Sequence, residues 1–305
     1  MNILVFGSNG LVGSSVVRRF QDQDNISLLP ATRKMANLFQ IEETNKIISD
    51  FNPDIIVNAA ARVGGILANN TNRTEFILEN LKININIIES IISRPNIKLI
   101  NLGSSCIYPL NAENPIDEKS LMTGKLEPTN SPYAMAKLSA IELGDALKSQ
   151  FGHVIVNLMP TNLYGPNDNF DEQSSHVIPG LMGRLHNAKV NNEKIFSVWG
   201  TGEPLREFLY VDDLANCIDF IIKNEVNADI LNVGSGIEIS IKELVAVLAE
   251  VIGYGGEITF DSSKPDGNPR KLLDSSKLNS YGWEASTSLK EGLKTTYDWY
   301  LNSLS

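Results

Sequence analysis

Short apolar runs and amphipathic stretches alternate along the first 160 residues. An unbroken apolar run at 3–6 stops at Gly7, as a buried parallel strand does. Apolar positions then recur at helical spacing over 11–20. The pair repeats, with strands expected at 26–29, 55–57, 98–102 and 154–158 and helices at 41–51, 76–92 and 133–150. In the helix at 76–92, Ile and Leu fall at i, i+3 and i+4. Repeated βαβ units predict an α/β fold: a doubly wound parallel sheet of Rossmann type, with helices on both faces.

Beyond Pro160 the pattern loosens. A loop-rich stretch at 164–173 precedes helices at 178–186, 213–223, 241–252 and 289–301, with short strands at 195–198, 230–233 and 257–260 and a loop at 200–206. This predicts a smaller C-terminal α/β unit. We expect a Rossmann domain over 1–162 and a substrate-binding domain from 163–208 and 236–305. The span 209–235 is expected to return to the first sheet, near 209–211 and 231–234.

Apolar residues make up 42% and charged residues 20% of 305, which excludes a disordered chain. No run approaches the roughly 20 apolar residues of a membrane span. The richest, 55–68, is broken by Asn58 and Arg62. The N-terminus has no basic leader, so a cytoplasmic protein is expected. A net charge of −10 opposes nucleic-acid binding, which draws on phosphate neutralisation. An anionic ligand must then be met by a local cluster of Arg and Lys. The two cysteines, Cys106 and Cys217, have no metal-ligand or redox spacing, and no metal is expected. Cys217 falls at helical spacing with Leu214, Ile218 and Ile221 and reads as core.

Gly7, Ser8, Asn9, Gly10, Leu11, Val12 and Gly13 form Gly-x-x-Gly-x-x-Gly between the first strand and the first helix. At that junction the glycines permit a tight turn, close backbone approach to a pyrophosphate, and close helix–strand packing. The end of the second strand reads Pro30-Ala31-Thr32-Arg33-Lys34, without the carboxylate that bonds an NAD ribose. Arg33 and Lys34 either meet a 2′-phosphate, which favours NADP, or are solvated loop charges.

Tyr133 and Lys137 lie four apart on one helix face, and of the 8 tyrosines only Tyr133 has Lys at i+4. Ser104 ends an intervening strand. A ketone accepting hydride at carbon needs a proton at oxygen; a phenol can give it if a nearby ammonium lowers its pKa, and a hydroxyl can polarise the carbonyl.

With these motifs the chain resembles the extended short-chain dehydrogenase/reductase superfamily. More narrowly, residues 103–109 (Gly-Ser-Ser-Cys-Ile-Tyr-Pro), 160–166 (Pro-Thr-Asn-Leu-Tyr-Gly-Pro), 175–179 (Ser-His-Val-Ile-Pro) and 264–270 (Lys-Pro-Asp-Gly-Asn-Pro-Arg) resemble the GDP-L-fucose synthase family. Residues 64–71 and 206–209 extend the likeness nearly end to end.

The resemblance implies conversion of GDP-4-keto-6-deoxy-D-mannose to GDP-L-fucose by 3,5-epimerisation and NADPH-dependent reduction at C4. It implies that Cys106 is the base and His176 the acid of epimerisation, and that Tyr133 and Lys137 serve the hydride step. Taken without it, Cys106 reads as a small core residue and His176 as a loop histidine. It further implies cofactor contacts from Leu102, Gly103, Ser104, Ser105, Pro160, Thr161, Asn162, Leu163 and His176. Arg184, Trp199, Arg206 and Asp266 would hold the GDP-sugar. Left to their residue types, Arg184, Trp199 and Arg206 read as a solvated helix face, core packing and a surface ion pair.

Two positions depart from the family pattern, Asn9 for a commoner Arg and Arg62 for a commoner Lys, and the first removes one contact to a 2′-phosphate. His153 and His186 carry no motif and read as structural. A related GDP-4-keto-6-deoxy sugar, of colitose or heptose type, would use the same machinery. The resemblance also implies a homodimer through a four-helix bundle of the helices at 76–92 and 133–150.

Overall fold

The computed structural model describes residues 1–171, 174–264 and 266–304; Glu172, Gln173, Pro265 and Ser305, which fall in ranges read from the sequence, lie outside the described residues. The chain begins β1 (Asn2–Phe6), α1 (Leu11–Phe20), β2 (Ser27–Ala31), α2 (Ile41–Phe51), β3 (Ile55–Asn58). A short α3 (Ile66–Thr71) and a long α4 (Arg73–Ile91) follow, then β4 (Lys98–Leu102), α5 (Ser131–Phe151) and β5 (Ile155–Pro160). Next come β6 (Asn162–Tyr164), α6 (Val177–Val190), β7 (Ile195–Trp199), β8 (Leu205–Tyr210), α7 (Val211–Lys223) and β9 (Ile230–Val233). The chain continues through β10 (Glu238–Ser240), α8 (Ile241–Ile252), β11 (Glu257–Asp261), β12 (Arg270–Lys271), α9 (Ser276–Ser280) and α10 (Leu289–Ser303).

Six parallel strands in the order β2-β1-β3-β4-β5-β9 make the main sheet. Strands β3 and β5 are buried along their whole length, as strands with helices on both faces must be. Alternate residues of β1 feed two cores. Ile3 and Val5 pack with Val16, Phe20, Leu214 and Ile218, while Leu4 and Phe6 pack with Ile48, Ile87 and Ile91. Cys217 is fully buried in the first of these cores, as expected. The strand order reverses between β1 and β3, and a doubly wound sheet binds its ligand at that switch point.

The buried sheet also carries a polar chain. Asn58 on β3 donates to Asn84 on α4 and to Asn101 on β4, both at 3.1 Å. Asn101 donates in turn to Asn157 on β5 at 3.1 Å.

The return near 209–211 is corrected in part. Residues 209–210 belong to β8, which pairs with β6, β10 and β12 outside the main sheet; β9 is the strand that returns. Periodicity could not distinguish these partners, because β8 is buried on both sides. Leu209 packs in the first core, and Phe208 and Tyr210 pack in another built from α6, α8 and α10. Helices α8 and α10 each open with a capping box, Ser240 with Glu243 and Ser288 with Glu291.

Between these two cores lies Glu207, fully buried on β8. Its carboxylate accepts from the Gly236 amide at 2.8 Å and the Leu273 amide at 3.1 Å. Burial raises its pKa, against the pull of those donors. Glu207→Ala would take the acceptor from the buried Leu273 N–H and from the Gly236 N–H. The expected loss is about 2 kcal/mol or more of stability, read as a lower midpoint in urea unfolding.

Candidate active site

The glycine loop sits where β1 turns into α1. Gly7 has φ +75°, and a Cβ there would meet the Ala60 nitrogen at 2.7 Å, at the end of β3. A Cβ on Gly13 would meet the Gly7 carbonyl oxygen at 2.1 Å, so helix and turn approach too closely for any side chain. Gly10 caps α1 without a side-chain acceptor, and no acidic residue occupies the first turn, where Leu11 and Val12 lie. Those free amides and the positive helix end suit a pyrophosphate. Ser8 donates to the Ala31 carbonyl at 3.1 Å, tying the loop to the end of β2. A cavity of about 430 Å³ opens beside it, lined by Ser8, Asn9, Ser14, Arg18, Thr32 and Asn167. Just past β2, exposed Arg33 lies 4.9 Å over the Phe39 ring. Arg62, by contrast, is held by Glu79 at 2.7 Å.

These residues fit a dinucleotide with a 2′-phosphate. Gly13→Ala should cost about 1–3 kcal/mol by overpacking, seen as a lower Tm, and weaken NADPH binding in a fluorescence titration.

The other expected cofactor residues gather at the same edge of the sheet. Leu102, Gly103, Ser104 and Ser105 leave the end of β4, and Pro160 to Leu163 span the step from β5 to β6. The Thr161 and Asn162 side chains donate to the Glu207 carbonyl at 3.2 and 2.9 Å.

Ser104 caps a single 3-10 turn, Ser105–Ile107, accepting from the Cys106 amide at 3.2 Å. Helix α5 opens with Pro132 in its first turn and brings Tyr133 to hydrogen-bond with Ser104. Lys137, 3% exposed, donates to the Leu102 carbonyl at 2.6 Å and stands 5.7 Å from the Tyr133 ring centre. Burial lowers the Lys137 pKa to about 8.

Here one expectation is corrected. The Tyr133 phenol lies above its ordinary pKa, because burial and the nearby Cys106 raise it while Ser104 only partly offsets them. The Lys137 ammonium, which also donates to the Leu102 carbonyl, does not outweigh that desolvation in this arrangement.

Cys106 shares the turn with Ser104 and is partly exposed. Its sulfur lies 3.9 Å from the Lys271 ammonium on β12. His176 caps α6 from outside, and the surrounding protein lowers its pKa by desolvation. Among the described residues no hydrogen bond joins its ring to Ser104, Cys106 or Tyr133. Its neighbour Ser174 accepts from the Gly65 amide at 3.0 Å, so the segments at 64–71 and 174–176 meet.

Around the other side stand the expected substrate residues. Arg184 donates to the Ser197 carbonyl at 2.6 Å and stacks over Phe196. Trp199 is 70% exposed, which excludes core packing. Arg206 has its pKa lowered by burial, against the opposing charge of Asp266. Asp266 is fixed by the Thr201 amide at 2.9 Å and hydroxyl at 2.8 Å. His153 and His186 are structural: the first contacts the Ile92 carbonyl, the second the Tyr297 hydroxyl.

Lys271 and Glu207 were missed in the sequence. Lys271 directly follows the 264–270 motif. Its neighbour Arg270 is engaged by Glu238 at 2.8 and 2.9 Å, so of the two adjacent cations only Lys271 reaches the cysteine.

A family model, the NAD dependent epimerase/dehydratase family, matches residues 3–234. A GDP-L-fucose synthase from Arabidopsis thaliana is 48% identical over 302 residues, covering 99% of this chain and 94% of that protein. The chain belongs to this family, among the GDP-L-fucose synthases. A GDP-L-colitose synthase from Yersinia pseudotuberculosis is 35% identical, covering 99% and 98% of the two chains. A crystal structure of a GDP-L-fucose synthetase from Naegleria fowleri bound to NADP superposes with a TM-score of 0.89 at 27% identity, covering 99% of this chain and 94% of that one.

Proposed function

We propose that the protein uses NADPH to convert GDP-4-keto-6-deoxy-D-mannose to GDP-L-fucose, inverting C3 and C5 and then reducing the C4 ketone. The observation that carries this reading is a single 3-10 turn holding both Ser104, hydrogen-bonded to Tyr133, and Cys106. Reduction alone has no use for the thiol.

The C4 ketone acidifies the protons on its neighbouring carbons. Cys106 takes such a proton, and His176 returns one to the carbon from its own side. Ser104 then holds the ketone oxygen, and Tyr133 gives it a proton. The bound cofactor supplies hydride to C4. Gly7 to Gly13, Arg33, the strand ends at 102–105 and 160–163, Tyr133, Lys137 and His176 form its cradle. Arg184 and Arg206 meet the diphosphate, Trp199 offers an aromatic face, and Asp266 completes the site. In this reading 1–162, with 209–235, serves the cofactor, and 163–208 with 236–305 serves the sugar nucleotide.

The test is incubation with GDP-4-keto-6-deoxy-D-mannose and NADPH in D2O. GDP-L-fucose carrying deuterium at C3 and C5 is expected. NADPH oxidation without exchange at either carbon would overturn the epimerase half. The likeness to a GDP-L-colitose synthase favours one second reading, a 3-deoxy substrate; faster turnover of that sugar in the same assay would establish it.

We further propose a cytoplasmic homodimer. Helices α4 and α5 pack together and leave Leu78, Ile85 and Met135 exposed. No helix among the described residues is long and apolar enough to cross a membrane. Light scattering should give twice 33.5 kDa, and a monomer mass would reject the dimer.

A further inference from the structure

We propose that Lys271 is a positioning residue that holds Cys106 as its thiolate, the form able to take a proton from carbon. This rests on the reading of Cys106 as the base. The ammonium lies 3.9 Å from the sulfur, and it is brought there from the far half of the chain, 165 residues away in sequence.

Both partners are fixed. The Cys106 amide is tied to Ser104, and its flanking residues Ser105 and Ile107 are buried. Lys271 lies on β12 in register with Arg206, and the backbone beyond it is pinned twice. The Leu272 amide donates to Asn114 at 2.8 Å, and the Leu273 amide donates to Glu207 at 3.1 Å. Among the described residues no carboxylate pairs with Lys271, so its charge is not cancelled locally. Tyr133 from α5 is a further titratable group near the thiol, and Lys137 on the same helix is turned to the Leu102 carbonyl.

A thiol has little power to remove a proton bound to carbon; a thiolate can, and an adjacent ammonium favours the thiolate. In the step, the C–H bond breaks and its proton forms an S–H bond on Cys106. The electron pair moves onto the C4 carbonyl oxygen as an enolate. A proton from His176 then closes the inverted carbon, and the carbonyl reforms. No oxidant or reductant is consumed.

The chain allows a test that needs no substrate. Cys217 is fully buried, so iodoacetamide labelling of the folded protein, followed by intact mass, reads Cys106 alone. Lys271→Met and Lys271→Gln are expected to label about tenfold more slowly at pH 7 than the parent, with Lys271→Arg close to the parent. At pH 10, where thiols ionise without help, all four should label alike. Protection of Cys217 throughout certifies folding of each variant.

Equal rates at pH 7 for the parent, Lys271→Met and Lys271→Gln would overturn the proposal. So would equal labelling joined to a raised KM for the sugar nucleotide, since Lys271 would then serve substrate binding only. Slowed labelling in a protein that shows no exchange at C3 or C5 would sustain the pairing while removing the epimerase reading.

Discussion

Tyr133→Phe is expected to reduce the NADPH-dependent step by about 10³-fold while leaving deuterium exchange at C3 and C5 intact. The phenol is the one hydroxyl that both hydrogen-bonds Ser104 and shares a helix face with Lys137. Without it the ketone oxygen has no proton donor when hydride arrives. Ser104 remains to hold the substrate, so binding changes little, and the epimerised 4-keto sugar accumulates and can be followed by NMR. The same geometry sets a pH limit. Lys137 has its pKa lowered to about 8, so its charge is present below pH 8 and lost above it. Loss of that charge removes support for a developing phenolate. Reduction is therefore expected to fall as pH rises through about 8, and Lys137→Met should abolish this alkaline limb.

Cys106→Ser is expected to show the reverse separation. Exchange at C3 and C5 should fall by about 10²–10⁴-fold, because a serine hydroxyl ionises far less readily than a thiol. NADPH binding should be unchanged, since Ser104, Tyr133 and Lys137 keep their contacts. A Cys106→Ser protein that exchanged at the parent rate would remove Cys106 from the chemistry. Together the two variants divide one site into two reactions.

Much of this arrangement was legible in the chain. The alternation of strands and helices announced the parallel sheet, since each strand buried on both faces reads as an unbroken apolar run. The glycine spacing, Tyr133 with Lys137, and Ser104 each lie within one or two local elements, so their geometry follows from local structure. The short strands β6, β10 and β12 escaped because two or three residues carry no period. Glu207 escaped because a carboxylate inside a strand looks like a solvent-facing position; donors distant in sequence, the amides of Gly236 and Leu273 among them, make its burial tolerable. Lys271 escaped because its partner lies in the other half of the chain. The raised pKa of Tyr133 was not visible because desolvation depends on everything packed around the ring.

The asparagine chain through the main sheet bears on how the strands find their alignment. Strands β3, β4 and β5 are almost uniformly apolar, so burying them favours no offset of one against the next. Their amides do. Asn58 stands opposite Asn101, and Asn101 opposite Asn157. Sliding β4 by one residue would set Asn58 against Ile100 or Leu102 and leave dry amides unpaired, at about 1–3 kcal/mol for each group. Asn84 extends the same restriction to the helix above. Hydrophobicity thus drives the collapse, while four side-chain amides act as the vernier that aligns it, and the strand ends that carry Ser104 and Thr161 are left level with one another.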